Sequence, residues 1–186
     1  MKKEIRLLGI DDGPFTKFGN GKVIVIGAIF RGGLWLDGIL STKVAVDGDD
    51  ATEKLAGMVN RCKFKPQLHC ILLDGISLGG FNIVDIQKLS KKTTIPVIVV
   101  MRRFPRLAEI HAILKKLGQK AKLKFLANAG PIVKVGEIFV QLAGLEISKA
   151  REILKVACTR SNIPEPLRAA HMIASGVVKG ESRGRA

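Results

Sequence analysis

The segment Glu4–Pro14 constrains the fold more than any other part of the sequence. Its apolar residues, from Ile5 to Ile10, have the length and composition of a buried strand. The run stops at two adjacent carboxylates, Asp11 and Asp12, and the Gly-Pro pair that follows breaks any strand. The segment therefore predicts a strand that delivers acidic side chains to the edge of a sheet.

Two later segments repeat this pattern. Residues 69–75 form an apolar run that ends at Asp74 and Gly75, and residues 95–103 form another that ends at Arg102 and Arg103. In open α/β sheets the ligand site lies outside the carboxyl ends of the strands. If the three predicted strands are parallel neighbours, their terminal charges converge on one site.

The remaining elements define a mixed α/β sheet. Two β-rich runs, Lys22–Arg31 and Leu34–Val46, are separated by Gly-Gly, which is typical of an antiparallel hairpin. Ile138–Leu142 is a last short strand. Helices are predicted from Asp50 to before Pro66 and over Ile83–Lys91, Pro105–Leu117, Ser148–Thr159 and Pro166–Val178, with a basic linker at Gln119–Lys124. Strands one to three are then an antiparallel meander, while strands one, four and five are parallel, with four and five beside strand one. This arrangement, flanked by helices, is that of an RNase H-like fold.

The charge of the chain points to a polyanionic partner. Its 186 residues carry a formal net charge of +15, with a pI near 10.1. Such a surface indicates nucleic acid first, and an anionic membrane or an acidic protein second. A solvated, thermostable surface is the alternative explanation.

Length and composition predict one RNase H-like domain over residues 1–180, followed by a short tail at 181–186. No stretch reaches the roughly 18 to 20 consecutive apolar residues of a membrane helix, and the first residues lack the pattern of a signal peptide. The cysteines are odd in number and lack metal-ligand spacing: Cys62, Cys70 and Cys158. We therefore expect a cytoplasmic protein with reduced cysteines and no membrane partner.

Asp11 and Asp74 are the first candidates for catalysis and metal binding. Carboxylates on neighbouring parallel strands repel one another unless a cation lies between them, and an oxygen-rich site suits Mg²⁺ or Mn²⁺. Asp12 is an alternative ligand, although adjacent strand residues face opposite sides of a sheet. The third carboxylate is expected to be Asp50 or Glu53, while Asp50 also fits the N-cap of the first helix.

Four further residues are candidates for contact with nucleic acid. Arg102 and Arg103 follow the fifth predicted strand, and an arginine fork matches the oxygens of a phosphate. Gly79 and Gly80 follow Asp74, where the absence of side chains lets the backbone approach a sugar-phosphate. A basic surface turn and an ordinary loop are the respective alternatives.

The segment Ile163–His171 adds two further candidates for contact with nucleic acid near the end of the chain. Arg168 and His171 are three residues apart and share one face of the predicted helix. A histidine there can transfer protons, hold a metal or simply pack against its neighbours. The residues alone leave these roles open.

Together these segments resemble the archaeal endonuclease dU family, whose members are relatives of endonuclease V. The resemblance covers most of the chain and is carried by Gly9–Asp12, Leu72–Gly75, Ile95–Arg102, Ile138–Gly144 and Ile163–Arg168. It implies that Asp11 and Asp74 are metal ligands in a nuclease that nicks DNA near a deaminated base. Arg102 occupies the position of a functional lysine in endonuclease V.

The resemblance breaks where endonuclease V carries a Pro-Tyr-Ile-Pro wedge and a catalytic glutamate. This chain has no tyrosine, and it reads Val-Asp-Gly-Asp-Asp-Ala-Thr-Glu over Val46–Glu53. Lesion recognition by that wedge is therefore not expected.

The sequence predicts a Mg²⁺-dependent or Mn²⁺-dependent endonuclease that acts on DNA at deoxyuridine or another deaminated base. The first alternative is a protein that binds DNA or RNA without hydrolysing it, since the basic charge alone supplies affinity for phosphates. An enzyme acting on a small phosphorylated metabolite fits the acidic residues but leaves the net charge unexplained.

Overall fold

A computed structural model describes residues 4–16 and 21–182 of the chain. Its strands are β1 (Arg6–Asp12), β2 (Lys22–Arg31), β3 (Trp35–Ala45), β4 (Leu68–Asp74), β5 (Ser77–Leu78), β6 (Asn82–Ile83), β7 (Val97–Met101), β8 (Val133–Val135) and β9 (Ile138–Ala143). Its α-helices are α1 (Ala51–Asn60), α2 (Ile86–Thr93), α3 (Leu107–Lys116), α4 (Leu123–Asn128), α5 (Ile147–Ala157) and α6 (Glu165–Lys179).

Seven of these strands form one mixed sheet in the order β3-β2-β1-β4-β7-β9-β8. Strands β1, β2 and β3 are antiparallel, whereas β1, β4 and β7 run parallel. The RNase H-like arrangement predicted from the sequence is therefore confirmed. One detail differs, because the predicted fifth strand, β7, lies beside β4 and does not touch β1.

Helices cover both faces of the sheet, and the residue alternation along β1 shows why. Leu8 and Ile10 are fully buried in the core beneath α1 and α2, while Leu7 belongs to the core beneath α5 and α6. Successive side chains of a strand point to opposite faces, so odd and even positions of β1 face different helical layers. Asp11 therefore faces the α6 side, and Asp12 faces the other.

Two predictions for the connections need correction, and one strand was not predicted. The predicted linker at residues 119–124 is helical: it contains a short 3₁₀ turn at Lys120–Lys122 and the start of α4. The predicted glycine loop after β4 contains the small β5–β6 hairpin. Strand β8 was not predicted, because its three residues are too short for a periodic pattern.

Some sequence predictions concern residues outside those described. The connection predicted at 15–20 is described only for residues 15 and 16, and the tail only for residues 181 and 182. Over the described ranges, none of the helices is long and apolar enough to cross a membrane.

A buried lysine joins three loops next to the sheet. Lys122 is 4% exposed, and its ammonium group donates 2.8 Å hydrogen bonds to the carbonyl oxygens of Asp47, Gly48 and Phe81. It also lies 3.2 Å from a carboxylate oxygen of Asp49. A buried ammonium is tolerated only when its donors are satisfied, and here they are. The contacts fix the β3–α1 loop and the β5–β6 hairpin against the segment that precedes α4.

Candidate active site at the carboxyl ends of the parallel strands

Sheet register brings Asp11 and Asp74 side by side. Ile10 of β1 pairs with Leu73 of β4, so the next residue of each parallel strand is one of the two acids. Both acids occupy the sheet face covered by α6, since Asp74 continues the alternation of Leu72, which lies in that core. The convergence expected from the two Asp-terminated strands is present.

A glycine in β1 lets α6 complete this site. A Cβ atom on Gly9 would lie 2.3 Å from the carbonyl carbon of Pro166, so any larger residue would push the start of α6 away. Because α6 lies this close, His171 reaches β1 one turn further along the helix. Its Nδ1–H donates a 2.8 Å hydrogen bond to Oδ2 of Asp11, whose side chain is almost fully buried.

Arg102 binds Asp74 at the end of β7. Its Nη1 donates to both carboxylate oxygens of Asp74, at 3.0 and 3.1 Å. Val100 pairs with Asp74 across the sheet, so Arg102 continues the strand on the same face. The Arg102 side chain is 41% exposed, which leaves much of its guanidinium open to a ligand.

Asp12 serves the opposite face of the sheet. Its Oδ2 accepts a 2.6 Å hydrogen bond from the backbone N–H of Gly79, so the carboxylate holds the glycine loop. Burial is the main cause that raises the pKa of Asp12 to about 6; the Gly79 hydrogen bond opposes this rise and the nearby Asp11 charge adds to it. Asp12 therefore positions the loop and lines the same cavity as the cluster, but it is not one of the three residues whose ligand atoms converge.

The pKa values of the cluster reflect a surplus of buried acid. Burial, and then the charge of Asp11, raises the pKa of Asp74, and Arg102 only partly opposes this. The hydrogen bond to Asp11 raises the pKa of His171. Groups whose protonation is shifted by burial and by like charge are concentrated at functional sites.

These side chains meet the basic requirement for holding a cation. Asp11, Asp74 and His171 each offer one ligand atom, and these atoms lie within 4.8 Å of one another. They border an open cavity of about 330 Å³ that is also lined by Gly13 and Arg102. The two carboxylates suit Mg²⁺ or Mn²⁺, while an imidazole is more typical of Zn²⁺ or iron. A bound cation would counter the burial and the Asp11 charge that raise the pKa of Asp74.

The structure does not bring Asp50 to this cluster. Oδ1 of Asp50 accepts hydrogen bonds from the Ala45 N–H at 3.0 Å and from the Asn82 side-chain amide at 2.7 Å. Asp50 precedes α1 but makes no side-chain capping bond, and Asn82 instead accepts from the N–H of Ala51. The carboxylate thus fixes the corner between β3 and α1.

Glu53 also lies outside the cluster. Its two oxygens bind Lys88 and Lys92 of α2, at 2.8 and 2.6 Å. These two lysines lower the pKa of Glu53 to about 2. The prediction that Glu53 or Asp50 supplies the third carboxylate therefore has no support in this geometry, because both are engaged by residues distant in sequence.

The other predicted nucleic-acid contacts differ in placement. Arg103 is exposed at the end of β7, next to the cluster, while Arg168 donates to Glu165 on its own helix at 2.8 Å. Gly80 has a φ of +87°, and a Cβ there would collide with a carboxylate oxygen of Asp47. Gly80 is therefore required by the tight turn itself. Its predicted contact with a sugar-phosphate is a separate role.

Gly9 was missed by the sequence predictions. The available signal was a glycine inside an otherwise continuous apolar strand, which often marks the close approach of another backbone. That signal does not name the approaching element, which is the start of α6, 157 residues later in the chain.

Comparison with known proteins identifies the family. Residues 3–178 match the family model described as Endonuclease dU. The chain belongs to the Endonuclease dU family. A protein from Methanothermobacter thermautotrophicus, named UPF0215 protein, is 51% identical over 191 residues, covering 100% of this chain and 94% of its own.

Solved structures agree with this assignment. A protein of unknown function from Archaeoglobus fulgidus superposes with a TM-score of 0.88 and 43% identity, covering 95% of this chain and 100% of its own. Endonuclease V from Ciona intestinalis, solved with an inosine-containing DNA, gives a TM-score of 0.60 at 17% identity, covering 96% and 87%. This second likeness is one of fold. The chain is thus an Endonuclease dU family member with an RNase H-like, endonuclease V-like fold.

Proposed function

We propose that this protein is a divalent-metal-dependent endonuclease that cleaves DNA beside deoxyuridine or another deaminated base, an activity suited to DNA repair. The observation that carries the proposal is the convergence of Asp11, Asp74, His171 and Arg102 on one open cavity. Membership in the Endonuclease dU family and the net charge of +15 support a nuclease that takes a polyanionic substrate.

In this proposal Asp11 and Asp74 hold Mg²⁺ or Mn²⁺, with His171 as the third ligand or as a proton carrier. A bound cation supplies the Lewis-acid chemistry needed to hydrolyse a phosphodiester. Nδ1 of His171 is engaged by Asp11, so Nε2 is the atom left to bind the cation or to hold a proton.

Arg102 is the group proposed to bind the scissile phosphate. Only its Nη1 is engaged with Asp74, while a guanidinium carries five donors in a fork that matches phosphate oxygens. Its pairing with Asp74 fixes the fork at the rim of the cavity. Binding of a phosphate there places the phosphodiester next to the two carboxylates.

The test is cleavage of labelled DNA by wild type and by Asp74→Asn. Substrates are single-stranded and double-stranded DNA containing uracil, hypoxanthine or no lesion, each with Mg²⁺, Mn²⁺ or EDTA. We expect wild type to nick lesion-containing DNA only with a divalent cation, and Asp74→Asn to be inactive at the same concentration. Asp37→Asn, which changes a distant acid on β3, is the control and should cleave. Metal-independent nicking, or an active Asp74→Asn protein, contradicts the proposal.

A second candidate function is binding of DNA or RNA without hydrolysis. It is favoured by the placement of Asp50 and Glu53, which leaves the cluster with two carboxylates where three were expected. In this case salt-sensitive binding persists in EDTA, and no substrate of the panel is cut with either cation.

A further inference from the structure

The segment between β7 and β9 is unusually basic. No acidic residue occurs between Glu109 and Glu137, a stretch that includes the rest of α3 after Glu109 and all of α4 and β8. Its solvent-exposed cations are Lys115, Lys116, Lys120, Lys124 and Lys134. Among the residues that the structure describes, none of these five forms an ion pair. Exposed cations that form no ion pair attract phosphates.

An apolar cavity of about 250 Å³ is lined by residues of this segment and by residues beside the ends of β4 and β7, two of which, Ile76 and Met101, pack against the core on the α1–α2 side of the sheet. Its wall includes Ile76, two residues after Asp74, and Met101, one residue before Arg102. Pro105 and Pro131 contribute rigid apolar surface. Ligand sites for drug-sized molecules are about 300–1,000 Å³, so this cavity suits a single ring and not a larger ligand.

Phe104 stands at this cavity with most of its side chain in solvent. It is 56% exposed, and it packs edge-on against Phe139 with ring centroids 5.6 Å apart. Phe139 holds the ring in place while leaving it accessible. Helix α3 continues this uncovered apolar surface with Leu107 and Ile113, each about two-fifths exposed.

We propose that Phe104 stacks on an unpaired nucleobase while the lysines of this segment follow the phosphates of the same strand. An aromatic ring flanked by apolar surface and cations is the chemistry that binds single-stranded nucleic acid. A base inside a duplex has both faces covered by its neighbours, so only an unpaired or turned-out base can reach the ring. This inference rests on the proposed function in assigning the strand to the same site, but it concerns binding and not cleavage.

The test measures binding without metal. A single strand containing 2-aminopurine is titrated with protein in EDTA, and the fluorescence of the base reports stacking. We expect Phe104→Ala to weaken binding about tenfold, since stacking on an aromatic ring is worth about 1–3 kcal/mol per base, and to abolish the fluorescence change. Phe104→Trp should retain both. Trp35→Ala, at another exposed aromatic beside the β2–β3 turn, should bind like wild type.

The strand is tested as DNA, as RNA and as a duplex. Dependence on Phe104 with single-stranded DNA or single-stranded RNA supports the proposal, and dependence with neither overturns it. Equal losses in Phe104→Ala and Trp35→Ala also overturn it, because the effect is then not specific to this surface. Duplex binding that depends on Phe104 as strongly as single-strand binding contradicts the requirement for an unpaired base.

A paired set of lysine variants tests the electrostatic part. The double variant Lys116→Ala/Lys120→Ala should lower the slope of log affinity against log salt by about 0.7 for each phosphate that is no longer neutralised. The control Lys54→Ala/Lys91→Ala removes the same charge from α1 and α2 and should leave the slope unchanged. Equal slopes for the two double variants contradict the proposed path of the strand.

Failure of this inference is distinguishable from failure of the nuclease proposal. Metal-dependent cleavage that is lost in Asp74→Asn, combined with unchanged binding by Phe104→Ala, removes only the stacking role. Phe104-dependent binding by a wild-type protein that never cleaves removes only the nuclease.

Discussion

The two ends of the sheet hold the same residue type in opposite electrostatic settings. At the end near the start of β1, Asp37 accepts hydrogen bonds from Arg31 and Arg6, at 2.8 Å each, and the Arg31 hydrogen bond lowers its pKa. At the other end, Asp12 and Asp74 have raised pKa values because burial is not matched by enough positive charge.

The contrast distinguishes an acid that stabilises the folded protein, Asp37, from acids whose burial destabilises it, Asp12 and Asp74. A carboxylate with two arginine partners contributes to stability, whereas a carboxylate whose pKa is raised by burial and by a neighbouring negative charge costs stability. Proteins retain such destabilising groups where binding or catalysis requires them. The presence of acidic residues therefore does not by itself indicate a functional site. A functional site is indicated where buried acids outnumber the cations near them.

The largest expected difference between the two ends is in activity. Asp11→Asn should lower metal-dependent cleavage by about a thousandfold, because loss of a carboxylate ligand forfeits several kcal/mol of transition-state stabilisation. The same change removes one of the clustered negative charges but also weakens the hydrogen bond from His171, so these contributions to stability oppose one another and the urea midpoint of unfolding should fall less than in Asp37→Asn. Cleavage assays and urea titrations in EDTA measure the two effects. A fully active variant would contradict the assigned role of Asp11.

The corresponding change at the other end should have the reverse outcome. Asp37→Asn loses charge-assisted hydrogen bonds to two arginines and should lower the free energy of unfolding by about 1–3 kcal/mol. Cleavage at a temperature where the variant remains folded should equal that of wild type. Loss of activity in a folded Asp37→Asn protein would show that the two ends are coupled.

The pH dependence of stability should distinguish the ends further. Asp12 has a folded pKa of about 6 against an ordinary 3.8, so between these values the folded protein binds more protons than the unfolded chain. Its contribution to stability is therefore present at low pH and is lost as pH rises toward 6. Asp37, with a lowered pKa, contributes in the opposite sense, and its contribution is lost as pH falls below the ordinary value.

Urea unfolding in EDTA from pH 4 to pH 7 measures this contrast. Subtracting the Asp12→Asn curve from that of wild type should leave a term that falls across this window. The Asp37→Asn difference should be flat above about pH 5, since that acid is already ionised in both states. A difference curve for Asp12 that rises with pH would show that its environment stabilises the charge.

The smallest effect is expected for Glu53→Gln. Glu53 is half exposed and bound to Lys88 and Lys92 on the protein surface, where water and salt weaken ion pairs. Cleavage should stay within about twofold of wild type. A large loss of cleavage would restore Glu53 as a third metal ligand and would require α1 to move.

The sequence alone was sufficient to predict the features that depend on residues close together in the chain. The apolar run before Asp11 and the one before Asp74 predict their strands, and the alternation of strands and helices predicts the parallel pairing of β1 with β4. Adjacent parallel strands bring their ends together, so the Asp11–Asp74 pair follows from local patterns alone.

The rest depends on contacts between distant residues. His171 can bind Asp11 only because α6 packs on Gly9. No local sequence pattern predicts which helix packs against that glycine. Asp50 matched the pattern of a helix cap, but the Asn82 side chain, distant in sequence, binds its carboxylate. Tertiary partners of this kind override the local preference of a residue.

The burial of Lys122 makes it a reporter of the loops that it joins. An amine-specific reagent reaches the exposed lysines of α3 directly, but it reaches Lys122 only when the carbonyl oxygens of Asp47, Gly48 and Phe81 release the ammonium group. Its labelling rate therefore measures how often the β3–α1 loop and the β5–β6 hairpin come apart. A nucleic acid that clamps the neighbouring basic segment would slow this labelling without touching the lysine.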